Sequence, residues 1–284
     1  MLETTLIIVS LAVLIIATIT DLKTYEVPDW LNYAGITAGI GIHLIFSLQQ
    51  WSWWPIASSL IGLAITFGLA SLMFYTGQWG GGDAKLLMAM GALIGFQADK
   101  MAFGTSYLIN LVFIGGAWGL LYSASLAIRN IKNFWKTYKK TLHEKTYKKL
   151  RITTIITVII LIIMTFLFKE YRLEILILAI ITYALTHIAI FIKSTEQSCM
   201  HKLITPDKLT EGDWLLKPVT AGKQKIMPNK LGLEQEQVDT IKKLYAQKKI
   251  EKVLVKYGIP FAPAFLIAFI TTIIWNNIVL AILF

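Results

Sequence analysis

Long apolar runs constrain this chain more than any other feature of its sequence. Most of them are about 20 residues long, the length at which an α-helix crosses the hydrocarbon core of a bilayer. They lie near residues 2–20, 30–48, 55–76, 84–97, 103–128, 152–168, 172–192 and 259–283. Hydrophobic residues make up 56% of the sequence, which is high for a soluble domain. The sequence therefore predicts an all-α polytopic membrane bundle with about eight candidate spans.

The fourth apolar run is shorter than the others. Its 14 residues would form a helix about 21 Å long, roughly 9 Å less than the hydrocarbon thickness. We therefore expect the preceding glycines, residues 80–82, to dip below the membrane surface and to carry Asp83 with them. Carboxylates at membrane depth are rare and usually functional.

The distribution of basic residues predicts the orientation of the spans. If the N-terminus lies outside, cytoplasmic segments hold 24 of the 27 lysines and arginines, in accord with the positive-inside rule. This orientation predicts a multi-pass protein of the cytoplasmic membrane, with Asp21 and Asp83 both at the cytoplasmic side. The formal charge of +10 therefore reflects membrane topology, and no nucleic-acid motif accompanies it.

The longest cytoplasmic segment, residues 193–257, has the composition of a small folded unit. It contains turn signals, short β-compatible runs and an amphipathic helix over residues 233–249. We predict a small α+β cytosolic insert at 193–257, between a membrane bundle at 1–192 and a final membrane helix at 258–284. A second segment, 129–151, holds nine basic residues and one acid, and we expect it to lie along anionic lipid headgroups.

Two aspartates stand out because both lie at the cytoplasmic ends of predicted spans. Asp21 follows the first span and precedes Pro28, which would start the next helix, while Asp83 follows a glycine hinge. Each has a simpler interpretation: Asp83 as the N-cap of a helix and Asp21 as a polar end to the first span. As a pair on one side of the membrane, they form a better catalytic constellation than either alone.

Three motifs resemble those of the type IV prepilin peptidases and archaeal preflagellin peptidases, which are membrane aspartic proteases of the G-x-G-D type. They lie in family order: Asp21 with Val27-Pro28-Asp29-Trp30, then Gly80-Gly81-Gly82-Asp83-Ala84-Lys85-Leu86, then Gly258-Ile259-Pro260-Phe261-Ala262-Pro263-Ala264-Phe265. The segment 209–214 in the insert also resembles archaeal members. Bacterial members that N-methylate their product carry paired cysteines in a long loop, whereas this chain has one cysteine, Cys199. The resemblance therefore implies cleavage without methylation.

The resemblance implies that Asp21 and Asp83 are catalytic, supported by the motif residues Gly80, Gly82, Lys85, Pro28, Pro260 and Pro263. One ionised carboxylate would take a proton from water, while a protonated partner polarises the scissile carbonyl. The glycines would let substrate backbone approach. Lys85 would orient Asp83 or extend to the lipid surface. The two C-terminal prolines would free backbone carbonyls for an extended substrate, or simply kink the chain at the membrane.

The implied substrates are precursor proteins with a short basic leader and an apolar helix. The loop 21–29 is the only net acidic cytoplasmic segment, so Glu26 and Asp29 are candidates to receive the basic leader, although a solvated loop is the simpler interpretation. The four histidines have no metal-ligand spacing, and we predict neither a metal nor a cofactor. His43 and His187 fall within spans, where interhelical hydrogen bonds are the expected role.

Two other functions stay open at this stage. A presenilin-like or signal-peptide-peptidase-like protease also uses G-x-G-D, but its first aspartate lies in mid-helix and its last span carries P-A-L, whereas this chain has Pro263-Ala264-Phe265. An ion-coupled transporter would use the aspartates as cation ligands. The absence of an internal repeat argues against that alternative.

Overall fold

The structure is a computed structural model that describes residues 2–97, 102–221, 224–229 and 231–283. It forms two compact units, one comprising Met1–Gly119 with Leu203–Phe284 and the other Leu120–Lys202. The first unit contains both candidate aspartates and most of the predicted insert. The predicted division at residues 192 and 257 stays a prediction.

The described chain is mainly helical. Its helices are α1 Leu2–Thr24, α2 Asp29–Gln49, α3 Trp54–Tyr75, α4 Gly81–Ile94, α5 Phe103–Arg129, α6 Ile131–His143, α7 Lys145–Leu167, α8 Arg172–Thr195, α9 Gln235–Ala246, α10 Ala262–Trp275 and α11 Ile278–Leu283. Six of the described helices are long and apolar enough to cross a membrane, namely α1, α2, α3, α5, α7 and α8 with its flanking turns. The predicted polytopic helical bundle is confirmed.

Two of the eight predicted spans are shorter than a bilayer requires. Helix α4 has 14 residues, as expected. The last predicted span, 259–283, is not one helix, because α10 ends at Trp275. Asn276 has a positive φ of 56°, which ends the helix, and the Oδ1 atom of Asn277 accepts hydrogen bonds from the N–H groups of Val279 and Leu280 at the start of α11.

Helix α4 is the centre of the first unit and packs against α1, α2 and α3. Small residues allow this close packing, since a Cβ atom on Gly39 would lie 2.6 Å from the backbone of Ala92. Side chains of the neighbouring helices also bind carbonyl groups near the C-terminal end of α4. Ser59 Oγ donates to Ala92 O at 2.7 Å, and His43 Nε2 lies 3.1 Å from Leu93 O. The predicted interhelical role of His43 is confirmed.

The second unit consists of the end of α5 with α6, α7 and α8. Helices α7 and α8 pack against each other, and a buried hydrogen bond of 2.7 Å joins the Oγ1 atoms of Thr154 and Thr186. The expected interhelical hydrogen bond of His187 is wrong. Its Nδ1 donates to the carbonyl of Tyr183 one turn earlier in α8, because this backbone oxygen is within reach along the same helix.

The predicted α+β insert is present. Strands β1 His201–Ile204, β5 Val253–Lys256 and β2 Trp214–Leu215 form a sheet in the order β1-β5-β2, and β3 Val219–Ala221 pairs with β4 Gln224–Ile226. Helix α9 buries Val238 and Ile241 in an apolar core shared with Leu215 and Val255. Helix α8 continues to Thr195, beyond the predicted start of the insert at residue 193.

Candidate active site

Asp21 is buried on the inner face of α1. Helix α1 continues to Thr24, so Asp21 lies in its last turn and does not end it. The residue is 3% exposed and belongs to a buried stripe that begins at Leu6 and runs along α1 at helical spacing. Its Oδ2 atom accepts a hydrogen bond of 2.8 Å from the backbone N–H of Ala262. A carboxylate from the first helix therefore binds the start of α10.

The start of α10 is built to receive this carboxylate. Ala262 is the first residue of α10, so its N–H has no partner within the helix, and the positive end of the helix dipole faces a negative charge. Pro263 lies in the first turn, where the missing N–H costs nothing. The carbonyl of Pro260 is already bound, because Trp118 Nε1 donates to it at 2.8 Å.

Asp83 lies in the first turn of α4, but it does not cap the helix. The N-cap is Gly80, which makes no side-chain hydrogen bond, so the interpretation of Asp83 as an N-cap is wrong. The helix begins earlier than the apolar run because Gly81 and Gly82 adopt helical geometry. The carboxyl groups of Asp83 and Asp21 lie close enough for the charge of one to act on the other.

The loop between α1 and α2 brings the two aspartates to the same end of the bundle. A Cβ atom on Gly82 would lie 3.2 Å from both the backbone nitrogen and the carbonyl oxygen of Val27. This close contact explains why a glycine precedes Asp83. Asn32 Nδ2 donates to Gly82 O at 3.3 Å. By contrast, within the described part of the chain, a Cβ on Gly80 would have one neighbouring atom within 4 Å, an Asp83 oxygen at 4.0 Å.

Lys85 does not bind Asp83. Its Nζ atom lies 2.7 Å from both carboxylate oxygens of Asp29 and 5.7 Å from the centre of the Tyr33 ring. Pro28 precedes α2 in extended geometry, so it starts this helix as predicted. The Lys85–Asp29 pair therefore joins the N-terminal parts of α4 and α2.

Glu26, the other acidic candidate, contacts the insert. Its Oε1 atom accepts a hydrogen bond of 2.8 Å from Thr210 Oγ1. Next to it, Tyr25 has a strained φ of 62°, and its ring meets that of Tyr257 edge to face at 5.7 Å. Burial raises the pKa of Asp213, and the charge of Glu26 adds to this effect. The insert thus packs on the loop that positions Asp21 and Asp83.

Sequence reasoning missed several residues of this site. Asn32 is fully buried, and its Oδ1 atom has no partner among the described residues. Its place on a buried stripe of α2 with Gly35, Gly39 and His43 is a signal that could have identified it. Thr210 lies in the segment 209–214 that resembles archaeal members, but neither its contact with Glu26 nor that of Tyr257 with Tyr25 could be read from the sequence, because both depend on how the insert packs against the loop.

The arrangement places a carboxyl group at the N-terminal end of each of two helices, α4 and α10. Helix N-termini stabilise negative charge, while mutual repulsion favours one shared proton between two close carboxyl groups. Such a pair can exchange protons with a bound water. Among the described residues, no group of three or more His, Cys, Asp or Glu side chains is arranged to hold a metal ion.

Fold and site together define a polytopic helical membrane protein with two carboxyl groups at one end of its core. Comparison with known proteins agrees with the first two motifs, because residues 8–124 match the family model described as the type IV leader peptidase family. Both aspartates lie within this range. The resemblance to the type IV prepilin and preflagellin peptidases that the sequence predicted is therefore confirmed over residues 8–124.

Three curated relatives are preflagellin peptidases. The chain is 38% identical to that of Methanococcus voltae and 36% identical to that of Methanocaldococcus jannaschii, each over 81 residues, which are 28% of this chain and 34% of the relative. It is 30% identical to that of Methanococcus maripaludis over 130 residues, 42% of this chain and 56% of the relative. The chain thus spans about a third to just over half the length of these relatives. No solved structure gives a significant match.

Proposed function

We propose that this chain is a membrane aspartic endopeptidase that removes the short basic leader from prepilin- or prearchaellin-like precursors at the cytoplasmic membrane face, without N-methylation. The observation that carries the proposal is the convergence of Asp21 and Asp83 at one end of the helical core, within electrostatic range of each other. The family match over residues 8–124 includes both groups. The names of the curated relatives support this class of substrate.

In the proposed mechanism, the two aspartates act as one unit that shares a proton. The ionised carboxylate takes a proton from a water molecule, and the protonated carboxyl group donates a hydrogen bond to the scissile carbonyl. The N–H of Ala262 holds the Asp21 side chain in place, so the pair is oriented before substrate binds. The deprotonated water adds to the carbonyl carbon and the peptide C–N bond breaks. The proton taken from the water passes to the leaving amine, which becomes the new N-terminus.

Glu26 and Asp29 are the proposed receptors for the basic leader. Both are exposed beside the aspartates, and Asp213 adds a third carboxyl group near Glu26. Asp29 is paired with Lys85, so a substrate lysine would have to replace that partner. The Glu26 carboxylate accepts a hydrogen bond from the neutral hydroxyl of Thr210 and forms no ion pair among the described residues. We therefore expect Glu26 to contribute more to substrate capture than Asp29.

A cleavage assay with the purified full chain tests the function. The protein in detergent is incubated with a precursor that carries a short lysine-containing leader and an apolar helix, and mass spectrometry identifies the new N-terminus. We expect one cut at the end of the leader and an unmethylated amino group, with or without a methyl donor. Cuts deep within the apolar helix would instead indicate a presenilin-like protease. Intact precursor in every condition would contradict the proposal.

A further inference from the structure

Helix α6 has two chemically different faces. Phe134 and Thr141 on one face are buried, and the Phe134 ring contacts that of Phe191 in α8 at 5.5 Å. The remaining surface is exposed and carries four lysines. These are Lys132, Lys136, Lys139 and Lys140. None of these lysines forms an ion pair within the described ranges 2–97, 102–221, 224–229 and 231–283.

An open, mainly aromatic groove of about 350 Å³ lies between α6 and α8. Its lining residues are Phe134, Trp135, Tyr138, His187, Ile188 and Phe191. Trp135 is 51% exposed and meets the rings of Phe134 and Tyr138 edge to face. Because Nδ1 of His187 donates to Tyr183 O, Nε2 is the ring atom that can bind a ligand. The groove offers apolar walls with few polar groups, as ligand sites usually do.

Two of these lysines flank Trp135, a residue of the groove lining, along α6. Lys132 and Lys139 are three residues before and four residues after Trp135 in α6, and residues at these spacings are neighbours on a helix surface. Helix α6 also connects the ends of two helices, α5 and α7, that are long enough to cross a membrane. It therefore lies at the level of lipid headgroups, where amphipathic helices bury an apolar face and expose a basic one.

We propose that the groove between α6 and α8 is a binding site for an anionic phospholipid. Lys132 and Lys139 hold the phosphate, and the rings of Trp135, Tyr138 and Phe191 hold the glycerol end of an acyl chain. Charge complementarity identifies this ligand, since the segment 129–151 holds nine basic residues and one acid. A basic cluster at this depth attracts anionic headgroups. The site requires no part of the proposed catalytic chemistry.

Fluorescence quenching by brominated lipids tests this site in the full chain. The protein is reconstituted in bilayers of a zwitterionic phospholipid that contain small amounts of a brominated anionic phospholipid. The emission of Trp135 is isolated by subtracting the signal of Trp135→Phe. We expect brominated anionic lipid to quench Trp135 at a mole fraction several-fold lower than brominated zwitterionic lipid.

Charge variants provide the specificity control. Each lysine near an anionic surface contributes about fivefold in affinity, so Lys132→Gln with Lys139→Gln should weaken anionic-lipid quenching by roughly fivefold to twentyfold. The pair Lys148→Gln and Lys149→Gln removes the same charge from α7, outside the groove, and should therefore weaken quenching several-fold less than the pair in α6. Equal quenching by both lipids, or equal loss in both pairs, would overturn the proposal. So would protection of Trp135 from both lipids, which would indicate that a second copy of the chain covers the groove.

Discussion

Helices α4 and α7 are both apolar, yet they have opposite surroundings. The 14-residue α4 is enclosed by α1, α2 and α3, and Leu86, Met90 and Leu93 are fully buried. The 23-residue α7 buries Thr154 and Thr165, while most of its isoleucines are exposed. The longer of these two apolar helices is therefore the more exposed one, and the shorter one is buried in the core. The short helix, which cannot cross a bilayer alone, carries the candidate catalytic group.

The largest loss of cleavage activity should follow from removing the carboxyl group in the last turn of α1 or the one in the first turn of α4. Asp21→Asn and Asp83→Asn should each lower cleavage by at least about 10³-fold, because asparagine cannot exchange a proton with water. Asparagine keeps an oxygen that can accept the hydrogen bond from Ala262, so folding should be retained. Cleavage rates and thermal unfolding of the purified variants check this expectation.

The double variant separates a catalytic pair from two independent groups. If the aspartates act as one unit, Asp21→Asn with Asp83→Asn should be about as inactive as either single variant, since losses within a catalytic unit are not additive. Asp21→Ala should in addition destabilise the protein by about 0.5–2 kcal/mol through loss of the contact with α10. Appreciable cleavage by either asparagine variant would refute the two-aspartate mechanism.

The next largest effect should come from the tight packing around α4. A Cβ on Gly39 would meet the backbone of Ala92 at 2.6 Å, whereas a Cβ on Gly41 in the same helix would have no atom of the described residues within 4 Å. Gly39→Ala should therefore lower the free energy of unfolding by about 1–3 kcal/mol. Gly41→Ala should leave it unchanged or raise it slightly. Equal thermal stability of the two variants in detergent would show that α4 is less tightly enclosed than the structure indicates.

A smaller effect should come from the insert, through the loop that contacts α4. Tyr257→Ala removes the ring that packs against the strained Tyr25, and it should lower kcat several-fold with little change in KM, because the loop positions Asp21 and Asp83. Tyr257→Phe keeps the ring and should restore activity. If the alanine variant instead raised KM alone, the insert would act on substrate binding and not on the geometry of the aspartates.

The smallest change in stability should follow from substitutions on the exposed face of α7. Ile159 is 51% exposed and faces away from the packed surface, so Ile159→Ala should change the free energy of unfolding by less than about 0.5 kcal/mol. A matched change in α4, Leu93→Ala, should cost about 2–5 kcal/mol because it leaves a cavity in a filled core. Similar losses in thermal stability at the two positions would contradict the conclusion that α4 is buried in the core while α7 is exposed.

The sequence by itself determined the helical membrane bundle, the short fourth helix, the small insert and the two aspartates. Each of these features can be recognised from residues that are close together in the sequence. The signals are hydropathy over about 20 positions, turn residues, and a glycine run followed by an acidic residue. The misassigned details were also local. The N-cap at Asp83 was wrong because Gly81 and Gly82 join the helix, and the last span is interrupted at Asn276.

Only the tertiary structure decided how the aspartates are held. Asp21 binds the start of α10 across 241 residues, Thr210 binds Glu26 across 184, and Lys85 binds Asp29 across 56. The sequence does not indicate such partners, because each contact depends on the packing of separate helices and each residue has a plausible local role. Asp21 illustrates the reason: its burial follows from the helical spacing of α1, but its hydrogen bond exists only because α10 packs beside α1 and leaves the N–H of Ala262 without a partner of its own.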